Sequence, residues 1–208
     1  MPRKHMPTKI LICWAALVLS TTGPAFAAAP QNAPIVPPSM LLDRCLESGD
    51  GYLRAHLGGA IDTKIDWSNS GTRCQGEPKD KPPGVRLSFQ RVSSGSPNLL
   101  FVFGITGVRK GKPARATGVN LTVIVQGSSR IYGTLGDSRC TVDSLTQRPL
   151  TAKNTYRVEA RGFCTQPAHA VRGNDALLVS TFEFAGLVDY EPPKEDTTKP
   201  LVVPFTSP

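Results

Sequence analysis

Residues 154–164 read NTYRVEARGFC, an alternation that sets Tyr156, Val158, Ala160, Gly162 and Cys164 on one side of an extended chain and Arg157, Glu159 and Arg161 on the other. A period of two is the mark of a strand with one buried and one wet face. The same reading extends outward to runs 119–126, 130–135, 139–146 and 177–190, separated by turn-forming residues. Cys140 and Val142 share a face of their run, as Cys164 does of its own. A disulfide between Cys140 and Cys164 is therefore expected in the core of an antiparallel sheet.

Upstream, VRLSFQ at 85–90 alternates cleanly, and LLFVFGI at 99–105 reads as a strand buried on both faces. Residues 60–67 alternate well enough for a strand, with Ile61, Ile65 and Trp67 on one side. Between them, 75–83 (QGEPKDKPP) reads as a polar loop and 93–98 as a turn. Ser39 caps a predicted short helix over 39–47, with an apolar stripe of Leu41, Leu42, Cys45 and Leu46. Residues 52–57 continue that helix after Gly49 and Gly51. About eight strands with no interleaved helices predict a mainly β fold, an antiparallel sandwich or flattened barrel with a short N-terminal helix and two disulfides.

The chain opens with Arg3, Lys4 and Lys9, an apolar run at 10–19 and Ala25-Phe26-Ala27. Those are the parts of a secretory signal peptide over 1–27, too short to span a bilayer and cleaved after Ala27. Its loss takes Cys13 with it and lowers the formal charge from +8 to +5. The remainder divides into a Pro-rich leader (28–38), one β-rich domain (39–190) and a Pro-rich extended tail (191–208). No further apolar run approaches the length of a membrane span, so the chain is not expected to cross one. Four cysteines in an exported protein imply two disulfides, and sequence proximity pairs Cys45 with Cys74 and Cys140 with Cys164. Each closes a loop contributing about 3.5 kcal/mol on the chain-entropy model. The expected location is periplasmic or secreted.

The charge surplus has no basic stripe interleaved with aromatics, which excludes a nucleic-acid partner. Neither His56 nor His169 has a further ligand at metal spacing, so no metal and no cofactor is expected. No Gly-x-Ser-x-Gly elbow is present, and Ser94 sits in a turn sequence. Asp137 and Asp143 flank Cys140, but alternation turns Asp143 away from the Cys140 face. Asn120-Leu121-Thr122 matches a glycosylation acceptor, a three-residue pattern that arises readily by chance.

The strongest candidate contact is the basic loop GVRKGKPARAT at 107–117, where Arg109, Lys110, Lys112 and Arg115 concentrate positive potential. The sequence thus points to an exported, non-enzymatic β-rich module that binds an anionic envelope component or another exported protein. The alternatives are a protein inhibitor of an exogenous hydrolase, and a small hydrolase using Asp137, Asp143 or His169. No oligomeric state follows from the sequence.

Overall fold

In the computed structural model, which describes residues 44–92 and 98–191, the regular structure is eleven strands. In chain order these are β1 (Tyr52–Gly59), β2 (Thr63–Ser68), β3 (Thr72–Asp80), β4 (Pro83–Arg91), β5 (Leu99–Thr106), β6 (Thr117–Val125), β7 (Ile131–Gly133), β8 (Cys140–Pro149), β9 (Thr155–Cys164), β10 (Ala168–Ala170) and β11 (Ala176–Asp189). Among the described residues there is no helix, and hence none long and apolar enough to cross a membrane. The expected signal peptide, the leader, most of the 93–98 turn and the tail beyond Glu191 lie outside the described residues.

Every pairing is antiparallel. One run of neighbours is β2-β1-β11-β9-β8, and another is β3-β4-β5-β6. Strand β6 joins them: Thr117 and Val119 pair with Val142 and Cys140 of β8, while Thr122 and Ile124 pair with β7. Short β10 bridges β7 and β11 and so closes the opposite side.

The faces of the two runs meet through aromatic rings. Phe103 of β5 lies 5.1 Å from Phe182 and 5.0 Å from Phe184 of β11, Phe89 of β4 lies 5.1 Å from Phe184, and Trp67 of β2 stands edge-on to Phe101 at 5.5 Å. Apart from Trp67 at 7 %, these rings are at most 2 % exposed, and each buried ring contributes about 1.5–3 kcal/mol, so this cluster outweighs any surface ion pair in holding the layers. Close approach needs missing side chains. A Cβ on Gly76 would sit 2.7 Å from Val188 Cγ2, and one on Gly186 2.7 Å from Phe89 Cζ.

Both disulfides form as expected, Cys45–Cys74 and Cys140–Cys164. Cys140 and Cys164 are direct cross-strand partners and buried. The C-terminal runs match β6 through β9 and β11 to within a few residues.

Four expectations are corrected. The predicted helix over 39–47 is not formed in its described part: Arg44 bridges Ser70, and residues 45–51 make turns. The described half of its apolar stripe, Cys45 and Leu46, is buried in tertiary contacts instead. Asn69 Oδ1 accepts from Leu46 N (2.7 Å) and Gly51 N (3.1 Å), Asn69 Nδ2 donates to Leu46 O (3.0 Å), and the Cys45–Cys74 bond ties the segment to β3. Local propensity of a few tenths of a kcal/mol per residue yields to a disulfide and three buried hydrogen bonds. Residues 52–57 are not helix but β1, with Leu53, Ala55 and Leu57 buried and Arg54 and His56 exposed. The supposed loop at 75–83 is mostly β3, whose Pro78 and Lys79 are tolerated because β3 pairs only with β4 among the described residues. The outer side of β5 is also less covered than expected, with Leu100 and Val102 only half-buried.

Candidate functional site

The basic loop between β5 and β6 starts at Gly107 and turns at Gly111, whose φ values of 72° and 67° suit residues without a side chain. Val108, 4 % exposed, anchors it in the core. Ala114 and Leu145 exchange backbone hydrogen bonds of 3.0 and 2.8 Å, stitching the loop to β8. Gln147 of β8 completes the clamp: its Nε2 donates to Arg109 O (2.8 Å) and Lys112 O (2.7 Å), and its Oε1 accepts from Gly111 N (3.2 Å) and the Tyr190 hydroxyl (2.7 Å). One amide side chain thus fixes three loop backbone groups.

The four predicted cations are all exposed. Lys110 donates to Asn154 Oδ1, and its Nζ lies 6.0 and 5.9 Å from the ring centroids of Tyr156 and Tyr190, which meet edge to face. Burial pushes the Tyr190 phenol up to about 12, against the opposing hydrogen bond with Gln147, so the ring stays neutral beneath the ammonium. The side chains of Arg109, Lys112 and Arg115 make no hydrogen bond or ion pair among the described residues. Lysine 110 is therefore committed to the fold, and the other three present unneutralised charge.

Sequence reasoning missed Lys153. The Lys110–Asn154 bond brings the β8–β9 turn beside the loop, and exposed Lys153 precedes Asn154 in that turn. Its separation of some forty positions from the loop left no sequence signal.

The hydrolase candidates are dispersed. Asp137 is exposed between β7 and β8, its backbone against Gly118, and His169 is exposed on β10 opposite Gly133 and Ala176. Asp143 stands at the β8 bulge and lines a groove on the outer face of β1, β2, β9 and β11 that Asp137 and His169 do not line. No hydrogen bond or ion pair joins the three. That groove is crossed by a row of alternating charge, Asp66–Arg54–Glu183–Arg161, in cross-strand register. Arg54 lies 3.2 Å from Asp66 and 4.0 Å from Glu183, so the row largely neutralises itself. No group of three or more potential metal ligands occurs among the described residues.

Comparison finds no family model that matches this sequence, and no match among curated proteins or solved structures.

Proposed function

We propose that this chain is an exported, non-enzymatic binding module, a sandwich-like β body over 39–190 whose clamped basic loop contacts an anionic envelope component or an acidic face of another exported protein. Export rests on the signal-peptide pattern over 1–27, with cleavage after Ala27 and a periplasmic or secreted destination. The two disulfides are compatible with that oxidising setting. The Pro-rich leader (28–38) and tail (191–208) flank the domain.

The observation that carries the reading is the Gln147 clamp: it holds the loop backbone while Arg109, Lys112 and Arg115 remain without partners among the described residues. A contact surface already held in shape loses less conformational freedom on binding. The same rigidity supports the second reading, an inhibitor that presents this loop to an exogenous hydrolase.

The test is replacement of Arg109, Lys110, Lys112 and Arg115 together by Gln, read by co-sedimentation with vesicles rich in anionic lipid. Wild-type binding is expected to weaken as salt shortens the Debye length to about 8 Å, and the quadruple variant to bind poorly at every salt concentration, with only the loss of about 1 kcal/mol of stability that follows from releasing Lys110 from Asn154. Equal binding by the variant at low salt sinks the loop reading. Loss of inhibition of a hydrolase, with no vesicle binding by wild type, selects the inhibitor.

A further inference from the structure

We propose that the outer face of β3–β6 carries a second binding site, a shallow groove that takes an acidic saccharide. Its own cations carry the inference, which stands whether or not the loop reading holds. The groove, of about 330 Å³, sits at the small end of the range for ligand sites. Cross-strand register places Arg86 and Asn120 on either side of Gly104, and Ser88 and Thr122 on either side of Val102.

Gly104 is the informative residue. A glycine inside a strand costs about 0.5–1 kcal/mol relative to alanine, and it marks either tight packing or the approach of a ligand. Packing does not explain this one: a Cβ at 104 would find its nearest neighbour, Asn120 O, at 3.5 Å, an ordinary contact. At Gly76 and Gly186 a Cβ would come within 3.0 Å of neighbouring atoms. The missing side chain at 104 leaves a floor of bare backbone, itself buried beneath the side chains that flank it.

Polar groups converge on that floor. Lys79 Nζ lies 3.8 Å from the position of the absent Cβ, half-buried and without an ion pair or hydrogen bond among the described residues. Arg86 engages Glu77 through Nη1 alone, at 3.2 Å, and is otherwise exposed. Asn120 Oδ1 accepts from the Thr134 hydroxyl, which leaves its amide hydrogens to donate outward, and the Ser88 hydroxyl donates to Gln75 O while its lone pairs remain open. Two cations suit a carboxylate or phosphate, the amide and hydroxyl suit sugar hydroxyls, and half-buried Val102 suits the C–H face of a ring. Together these describe a sugar bearing an acid group.

The experiment titrates isotope-labelled full chain with a glucuronate disaccharide, with glucose 6-phosphate, with the corresponding neutral sugars and with inorganic phosphate. The expected result is that at least one acidic sugar shifts the amide resonances of residues 79, 86, 102–104 and 120, with neutral sugars and phosphate at least about tenfold weaker. Which of the two binds identifies the acid group. Lys79→Gln is expected to weaken binding about tenfold. Gly104→Val is expected to abolish it while leaving the melting temperature unchanged or raised; should that variant not fold, Lys79→Gln decides. The loop quadruple variant is expected to bind the sugar normally. Absence of binding, undiminished binding by Lys79→Gln, phosphate binding as tightly as the sugars, or loss only in the loop variant each overturns the proposal.

Discussion

Arg157 shows how far a single side chain can depart from its place in a sequence pattern. Alternation puts it on the wet face of β9, yet it is only 9 % exposed because the turn before β1 folds over it. Its Nη1 lies 2.6 Å from Glu159 Oε2, and its Nε is 2.9 Å from Asp50 Oδ2, an ion pair in which the Nε hydrogen is not aligned for a hydrogen bond. Burial alone would lower the Arg157 pKa, but Glu159 and Asp50 more than offset it and the group stays charged. The hydrogen bond from Arg157 holds Glu159 below its ordinary 4.5 despite burial, and the Ser48 hydroxyl, with Arg157, holds Asp50 below 3.8. Folded values below unfolded ones mean that the stabilisation is complete above those ordinary values and is lost as pH falls through the lowered ones. Arg157→Met is expected to cost about 1–2 kcal/mol at neutral pH, less than a fully buried pair because both carboxylates can rehydrate. Urea titration at neutral pH and at about pH 3 checks this. Wild type should lose more stability on acidification than the variant, and equal losses would place the acid sensitivity elsewhere.

Elements follow a different logic, since a strand or a loop is held by its neighbours. The basic loop was legible as a loop from Gly107, Gly111 and Pro113, but its clamp was not, because Gln147 is one unremarkable polar residue of β8 until folding brings it underneath. Gln147→Ala removes four hydrogen bonds at a partly exposed site, and about 1–2 kcal/mol of stability should go with them. Amide exchange over 107–116 should quicken while β5 and β6 keep their protection. Unchanged exchange would mean that Val108 and the Ala114–Leu145 bridge suffice. Strand β1 was legible in principle, since Leu53, Ala55 and Leu57 alternate with Arg54 and His56, but Cys45 and Leu46 just upstream imposed a helical period on the reading. Strand β3 was hidden because an edge strand tolerates the glycine, proline and charges that read as a loop.

Across the whole molecule the two disulfides close loops of similar length, with sequence separations of 29 and 24, so chain entropy gives each about 3.5 kcal/mol. Their structural consequences differ. Cys140–Cys164 joins strands already paired over most of their length, so Cys140→Ala/Cys164→Ala should lower stability by about that amount and keep the β circular-dichroism spectrum. Cys45–Cys74 ties a segment outside the sheet to β3, and that segment delivers Asp50 to Arg157. Cys45→Ala/Cys74→Ala should therefore also flatten the acid dependence of stability, as Arg157→Met does. An acid slope equal to that of wild type would show that Asn69 holds the segment without the disulfide.

Period two, turn residues and cysteine spacing encode locally a mainly antiparallel β fold, the C-terminal strands, the inward faces of Cys140 and Cys164, and both disulfide pairings. These depend on neighbours a few residues apart or on the nearest cysteine. Long-range contacts alone make 44–51 a strap rather than a helix, lay β3 and β4 over β11, bring Gln147 beneath the basic loop and carry Lys79 across Gly104. Each of those joins residues distant in the chain through a disulfide, a ring contact, a side-chain hydrogen bond or a close packing contact, and no local periodicity records such a partner.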